Sequence, residues 1–380
     1  MTDRSIVGAR AVFCANTLRY LWNFRLGTIE QFLRDGVEVL CIGQGGGGAA
    51  ELAAMGCEVV ELDWKLRSVD PIHEMRVVAS IHRALRRFRP DVAFSFTFKA
   101  NLAVALACRP FNVPYVTNVT GLGTAFLSDR PLHRALRRLY GVSNGGAHTT
   151  FFQNPADLEL FRQLRLATGR RTAMLPGSGV DTQRFAFAPV DRRVRTFVMI
   201  ARLIVDKGVI EYLEAARELK AERPDLRFLL VGPSETDGPG RVPVDVVQSY
   251  ADSVEYVGEL PDVRPLLAEA DCLVLPSYRE GMPRTVLEAA SMGRIALVSD
   301  VEGCRDAIEP GVTGLAFAVR SASAVAASMR DIADREAGEV HAMSSAARRM
   351  AEERFSERLC IEPYRQILRQ VVSGQAVAGC

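Results

Sequence analysis

The sequence predicts an α/β chain built from two doubly wound parallel-sheet domains. Three observations carry that expectation. Short apolar strands alternate with helical patterns through both halves of the chain. At 380 residues the chain exceeds one ordinary core and suits two domains of roughly 180. A stretch rich in glycine and polar residues, GSGVDTQRF (177–185), reads as the linker near the midpoint.

The first half opens with the strand AVFCAN (11–16), a turn, and a helix across roughly 26–35. The strand VEVLCIG (37–43), a helix from Ala49, the strand CEVVELD (57–63), a helix near 74–88 and the strand DVAFSFT (91–97) follow. PYVTNVT (114–120) and AHTTFFQN (147–154) continue the sheet, and the second half repeats the scheme through TFVMI, RFLLVG, VEYVG, DCLVLPS and IALVSD. These apolar runs suit strands covered on both faces. The expected boundaries are a first domain over 1–178, a second over 179–355, a terminal helix over 356–372 and a disordered tail over 373–380.

Composition sets the class. Apolar residues make up 48% and charged residues 24%, as in soluble globular proteins. No apolar run approaches the roughly 18 residues of a membrane span, and the start MTDRSIVGARAVFCAN lacks signal-peptide features. The eight cysteines show neither CxxC nor a zinc-ligand spacing. Cys14, Cys41 and Cys272 fall in predicted strands, where reduced cysteine acts as a small hydrophobe, so a cytoplasmic setting is expected.

Net charge is +2 but unevenly spread. Residues 1–180 hold 22 basic against 14 acidic side chains, net +8, and residues 181–380 hold 25 against 31, net −6. The surplus lies in RVVASIHRALRRFRP (76–90) and RPLHRALRRLYG (130–141). In the second, Leu132, Leu136 and Leu139 recur at helical spacing while Arg134, Arg137 and Arg138 take other faces. A basic amphipathic helix of this kind suits an anionic membrane surface, so the first domain is expected to dock peripherally on the inner face of the plasma membrane. No nucleic-acid partner is expected.

The chemistry concentrates at PSYREGMPRTVLE (276–288). The strand DCLVLPS leads into a turn, Pro283 suits the first helical position, and the helix runs on until Gly293 stops it. Glu280 then lies in the loop and Glu288 inside the helix, about 7 Å deeper along its axis. The amides of Arg284, Thr285 and Val286 open the helix as an anion site. Two carboxylates astride an amide nest suit a ligand with hydroxyls at both ends and phosphate between, the layout of a nucleotide-diphosphate sugar. One strand-helix unit upstream, ARLIVDKGVIEYLEAA (201–216) places Arg202 and Lys207 in a turn, a planar fork and a point charge for a diphosphate.

EGMPRTVLE resembles the E-x7-E motif of the family-four retaining glycosyltransferases, and ARLIVDKG resembles their G-R-L-x-x-x-K-G signature, with Ala201 in place of the usual glycine. The resemblance implies the GT-B fold, two Rossmann-like domains facing across a cleft. It implies that Glu280 contacts the donor sugar and Glu288 the ribose, with Gly281, Met282 and Pro283 beside them. It also implies a C-terminal helix that crosses back to the first domain. A UDP-sugar donor is the family expectation. With no D-x-D in the chain, transfer is expected to need no metal or other cofactor, Arg202 and Lys207 stabilising the departing diphosphate.

On the first domain, NTLRYLWNFR (16–25) reads as a long turn carrying Asn23 and Arg25 toward a bulky acceptor. Lys99 and Asn101 follow one strand, and Thr120 and Gly121 open the Gly-rich NVTGLGTAF (118–126) after another. Thr97–Lys99–Asn101 and Thr120–Gly123 resemble the T-x-K-x-N and T-G-L-G segments of a subgroup that extends undecaprenyl-diphosphate-linked sugars, N-acetylgalactosaminyltransferases among them. The implied activity is transfer of a hexose or N-acetylhexosamine to such a lipid-linked saccharide in bacterial surface glycan or glycoprotein assembly, and Lys99 is a candidate for the acceptor phosphate.

Two alternatives stand beside it. A GT-B-fold epimerase would bind the same UDP-sugar but needs acid/base carboxylates in the first domain that the sequence does not offer. A nicotinamide oxidoreductase would rest on the G-x-G-x-x-G of Gly43, Gly45 and Gly48 with Asp63 downstream. That match lies on the second strand, and its four consecutive glycines are looser than a dinucleotide fingerprint requires.

Overall fold

The computed structural model describes residues 4–65, 70–121, 131–166, 171–234 and 240–374, and divides into two units. Unit 1 comprises Met1–Ser178 and Glu357–Cys380, and unit 2 comprises Gly179–Ser356.

Unit 1 runs β1 (Arg10–Thr17), α1 (Leu18–Arg34), β2 (Glu38–Gln44), α2 (Ala49–Ala54), β3 (Glu58–Leu62), α3 (Pro71–Phe88) and β4 (Val92–Phe96). It continues through α4 (Phe98–Cys108), β5 (Tyr115–Val119), α5 (Pro131–Gly145), β6 (Thr149–Phe152), α6 (Pro155–Gln163) and β7 (Thr172–Met174). All strands pair in parallel in the order β3-β2-β1-β4-β5-β6-β7. Alternate residues feed opposite layers, as a pleated strand requires. Phe13 and Phe94 pack with α1, while Val12 and Ala93 pack with α3 and α4.

Unit 2 repeats the scheme with β8 (Thr196–Ile200), α7 (Val209–Glu222), β9 (Arg227–Val231), α8 (Val244–Gln248), β10 (Glu255–Gly258) and α9 (Arg264–Glu269). After these come β11 (Cys272–Leu275), α10 (Arg284–Ser291), β12 (Ile295–Ser299), β13 (Gly314–Phe317), α11 (Ala322–Asp334) and α12 (Ala337–Arg354). Its parallel order is β10-β9-β8-β11-β12-β13. Phe197 and Met199 face α7 and α11, and Val198 and Ile200 face α10 and α12. The strand order reverses between β1 and β4 in one sheet and between β8 and β11 in the other, which is where open α/β sheets bind ligands.

The last helix, α13 (Glu357–Val372), belongs to unit 1. Tyr364 packs edge-on against Phe94 with ring centres 5.2 Å apart, and its hydroxyl bonds Asn118 Oδ1 at 2.5 Å. Arg365 grips the fully buried Asp35 with two bonds, Nε to Oδ2 at 2.7 Å and Nη2 to Oδ1 at 3.1 Å.

Two expectations are corrected. The segment 16–25 is not a long turn. Thr17 accepts a hydrogen bond from the Tyr20 amide and caps α1, which therefore starts at Leu18 and not near 26. Gly27 is internal to α1, where a Cβ would sit 2.2 Å from the Glu357 carboxylate on α13. The division between the units falls within 177–185, and Val180, just past it, is fully buried with its amide bonding the Phe355 carbonyl at 2.8 Å within unit 2. The tail from 375 on, and residues 122–126 of the Gly-rich loop, lie outside the described residues.

Arg365→Ala leaves the buried Asp35 carboxylate without its guanidinium partner. Urea denaturation should show a loss of about 3 kcal/mol, and Arg365→Lys should lose less.

Candidate functional site

The site in unit 2 forms where the chain leaves β8 and β11, on either side of the strand-order reversal. From β8 the chain passes Arg202, exposed at the surface, and a single 3-10 turn over Val205–Lys207 before α7. Gly208 ends that turn at φ +72°, and a Cβ there would lie 2.1 Å from the Pro276 carbonyl oxygen. Only glycine combines this backbone with so close an approach. The result sets the Lys207 ammonium against the Glu280 carboxylate in a half-buried ion pair.

Around this pair the loop is held on three sides. The Tyr278 amide donates to the Asp206 carbonyl at 2.9 Å, and its hydroxyl donates to Glu211 Oε1 on α7 at 2.6 Å. Burial and the Glu211 carboxylate push the Tyr278 phenol up to about 12, so it remains a donor. The Arg320 guanidinium lies 4.5 Å from the centre of the Tyr278 ring. A Cβ at Gly303 would meet the Glu280 and Gly281 carbonyl oxygens at 2.4 and 2.6 Å.

Pro283 is the N-cap and not the first helical residue, and α10 opens at Arg284. The expected amide nest is one donor narrower, because the Val286 amide bonds the Pro283 carbonyl at 3.0 Å. Gly281 is buried, Met282 packs on the core beneath α10, and Thr285 is half-buried in the first turn. Glu288 is 9% exposed and accepts a 2.8 Å bond from Arg284 Nε. Burial raises the Glu288 carboxyl above its ordinary value, with Arg284 opposing. The geometry offers two carboxylates as hydroxyl acceptors, each beside a basic group, and a helix start between them. Tyr278, Gly303 and Arg320 were missed by sequence reading. Tyr278 adjoins the motif, but Gly303 and Arg320 reach it only through the fold.

The first-domain candidates do not form one surface. Asn23 is exposed on α1, whereas Arg25, two residues on, is 1% exposed. Lys99 is engaged, its ammonium bonding Glu74 Oε1 at 2.6 Å and the Lys65 carbonyl at 3.1 Å. Its ammonium is thus shared with Glu74 and the Lys65 carbonyl, as that of Lys207 is with Glu280. Asn101 is fully buried, accepting from Ser95 Oγ at 2.8 Å and donating to the Asn118 carbonyl at 2.9 Å, so its amide ties β4 to β5. Thr120 and Gly121 are half-buried beyond the end of β5, with Gly121 at φ +147°.

The glycine fingerprint has a packing explanation. A Cβ on Gly43 would clash with backbone atoms of Thr17 and Leu18, and one on Gly48 with Trp22. Glu61 Oε2 lies 2.0 Å from the Cβ position of Gly45, placing a carboxylate where a dinucleotide phosphate would need room.

Fold and site together define a glycosyltransferase of the GT-B class. Residues 25–178 match the family model described as "Glycosyl transferase 4-like domain", and residues 194–335 match "Glycosyl transferases group 1". The chain belongs to the family-four glycosyltransferases. It is 28% identical over 80% of its length, and 84% of the relative's, to the N,N'-diacetylbacillosaminyl-diphospho-undecaprenol alpha-1,3-N-acetylgalactosaminyltransferase of Campylobacter jejuni. It is 25% identical to the UDP-Gal:alpha-D-GlcNAc-diphosphoundecaprenol alpha-1,3-galactosyltransferase of Escherichia coli, over 62% of this chain and 65% of that one. Among solved structures, sucrose-phosphate synthase of Thermosynechococcus elongatus matches with a TM-score of 0.80 at 16% identity, covering 96% of this chain and all of that one. The Anabaena protein HepE, solved with UDP and glucose, gives 0.77 at 18% identity over 95% and 99% of the two chains.

If Glu288 holds ribose hydroxyls, Glu288→Gln should weaken UDP binding by about 1.5–3 kcal/mol in calorimetry. Its ionised form is the acceptor and burial raises its pKa, so wild-type affinity should fall on acidification beginning above pH 4.5. The Gln variant should lack that limb.

Proposed function

We propose that the protein transfers a hexose or N-acetylhexosamine from a UDP-sugar to an undecaprenyl-diphosphate-linked saccharide, with retained configuration and without a metal ion. The observation that carries the reading is the pairing at one strand-order reversal of Lys207 with Glu280 and of Arg284 with Glu288. Glu288 would take the ribose hydroxyls and Glu280 a hydroxyl of the sugar. Lys207 has three N–H donors, so it can keep Glu280 oriented while meeting the charge that grows on the departing diphosphate, and Arg202 supplies a second cation. The donor phosphate would take the acceptor proton on the same face, and no side chain acts as nucleophile. The Campylobacter and Escherichia relatives, both named for action on diphospho-undecaprenol saccharides, support the acceptor class.

A lipid-linked acceptor needs the enzyme at a bilayer. No helix of the described residues is long and apolar enough to cross one, so attachment would be peripheral, at the cytoplasmic face. Two helices of unit 1 suit that role. Ile72, Met75, Arg76, Ala79, Arg83, Arg86 and Arg87 are exposed along one side of α3 at helical spacing, apolar toward its start and basic toward its end. On α5, Leu139 and Val142 are 38% and 39% exposed beside exposed Arg134 and Arg138. Apolar side chains can enter the headgroup layer while each arginine contributes about 1 kcal/mol against anionic lipid.

Incubation with UDP-sugars and a lipid-linked acceptor should release UDP in step with acceptor extension, unaffected by EDTA. Lys207→Ala and Arg202→Ala should each lower turnover tenfold or more with the fold intact. Activity abolished by EDTA and restored by manganese, or NADH absorbance in place of UDP release, refutes the reading. Separately, replacing Arg134, Arg137 and Arg138 by glutamine should release the protein from anionic vesicles and leave donor hydrolysis unchanged. Equal sedimentation of wild type and variant at low salt would mark these as ordinary solvated faces.

A further inference from the structure

The strand-order reversal of unit 1, between β1 and β4, holds an unbalanced charge. Arg25 stacks on Phe96, the last residue of β4, with its guanidinium carbon 4.4 Å from the ring centre. The side chain is 1% exposed, its one polar neighbour within hydrogen-bond reach is the Tyr20 phenol, and no group of the described residues meets Nε, Nη1 or Nη2 at full hydrogen-bond geometry. The groups acting on its charge are the phenols of Tyr364 and Tyr20 and the Cys360 thiol, with no carboxylate among them. A cation–π contact offsets only part of what burying an ion without a counter-charge costs. The buried charge of Asp35, by contrast, is matched by Arg365.

Beside Phe96 the backbone turns abruptly. Thr97 sits at φ +75° and ψ 154°, a strained arrangement for a β-branched residue. Its hydroxyl donates to Asn16 Oδ1, beside the end of β1, at 2.6 Å and does not cap α4. The eleven-residue α4 therefore opens with no side-chain cap, its first-turn amides without intrahelical acceptors and the positive end of its dipole at the same strand ends. Asn16, Tyr20, Thr97 and Phe98 are the half-buried residues of the cluster.

We infer that Arg25 and the uncapped start of α4 bind the diphosphate of the lipid-linked acceptor. The guanidinium fork takes one phosphate and the α4 amides the other, with the Tyr20 ring turning aside on entry. This deepens the glycosyltransferase reading and rests on it. The binding group would be a buried arginine on α1 and not Lys99, whose charge Glu74 already satisfies.

Inorganic pyrophosphate is the probe, added to the full-length protein in saturating UDP so that the nucleotide site is filled. Hydrogen exchange should slow in peptides spanning 97–101, and the melting temperature should rise with pyrophosphate. Arg25→Met keeps the volume and removes the unmatched charge, so it should melt at or above wild type yet need at least tenfold more pyrophosphate for the same response. Its UDP affinity should be unchanged, and KM for a lipid-linked acceptor should rise with little change in kcat. Arg25→Lys should fall between, and with the wild-type exchange pattern it decides the matter if the methionine variant does not fold. No slowing at 97–101 in wild type, or an undiminished response in Arg25→Met, overturns the inference. A response seen without UDP and abolished by it assigns the anion to the nucleotide and overturns the acceptor assignment. Normal UDP binding with no pyrophosphate effect sinks this inference alone, whereas failure to bind UDP sinks the glycosyltransferase reading itself.

Discussion

The site in unit 2 depends on one close approach, the Gly208 backbone against the carbonyl of Pro276. Parallel strands lie about 4.8 Å apart, and loops leaving their ends usually diverge. A glycine with positive φ lets the loop after β8 fold down on the loop after β11, so that Lys207 meets Glu280 and the Asp206 carbonyl takes the Tyr278 amide. Gly303 does the same from the other side against Glu280 and Gly281. Glu280 is thus placed by backbone contacts in two flanking loops, and its carboxylate is directed by one ammonium.

Charge placement differs in kind between the units. In unit 2 the buried or half-buried carboxylates of the site each have a basic neighbour, which offsets the desolvation that would otherwise neutralise them. For Glu288 the offset is incomplete, and its pKa stays raised. A carboxylate held in this state is sensitive to any ligand that brings hydroxyl donors, because those bonds favour the ionised form. In unit 1 the basic surplus is mostly at the surface, on α3 and α5, where water and salt screen it and where its use depends on a charged partner.

The sequence by itself determined the class of fold and the loops that carry the candidate site. Apolar strands alternating with helices admit few arrangements beyond parallel doubly wound sheets, because each strand must be covered on both faces. Arg202, Lys207, Glu280 and Glu288 were legible as candidates because they lie in the two segments that leave β8 and β11, and a strand's carboxyl end fixes where its loop begins. Gly27 inside α1 answers to the Glu357 carboxylate, 330 positions later in the chain, a contact that no local pattern contains. Asn101 and Lys99 fit a motif by spacing, but only the folded chain shows Asn101 spent on the β4–β5 junction and Lys99 on Glu74. Gly43, Gly45 and Gly48 matched a fingerprint, yet the neighbours Glu61 of Gly45 and Trp22 of Gly48 come from elements that a local pattern does not contain. Burial, pairing and the absence of a partner are properties of side chains brought together from distant positions, and tertiary structure alone decided them.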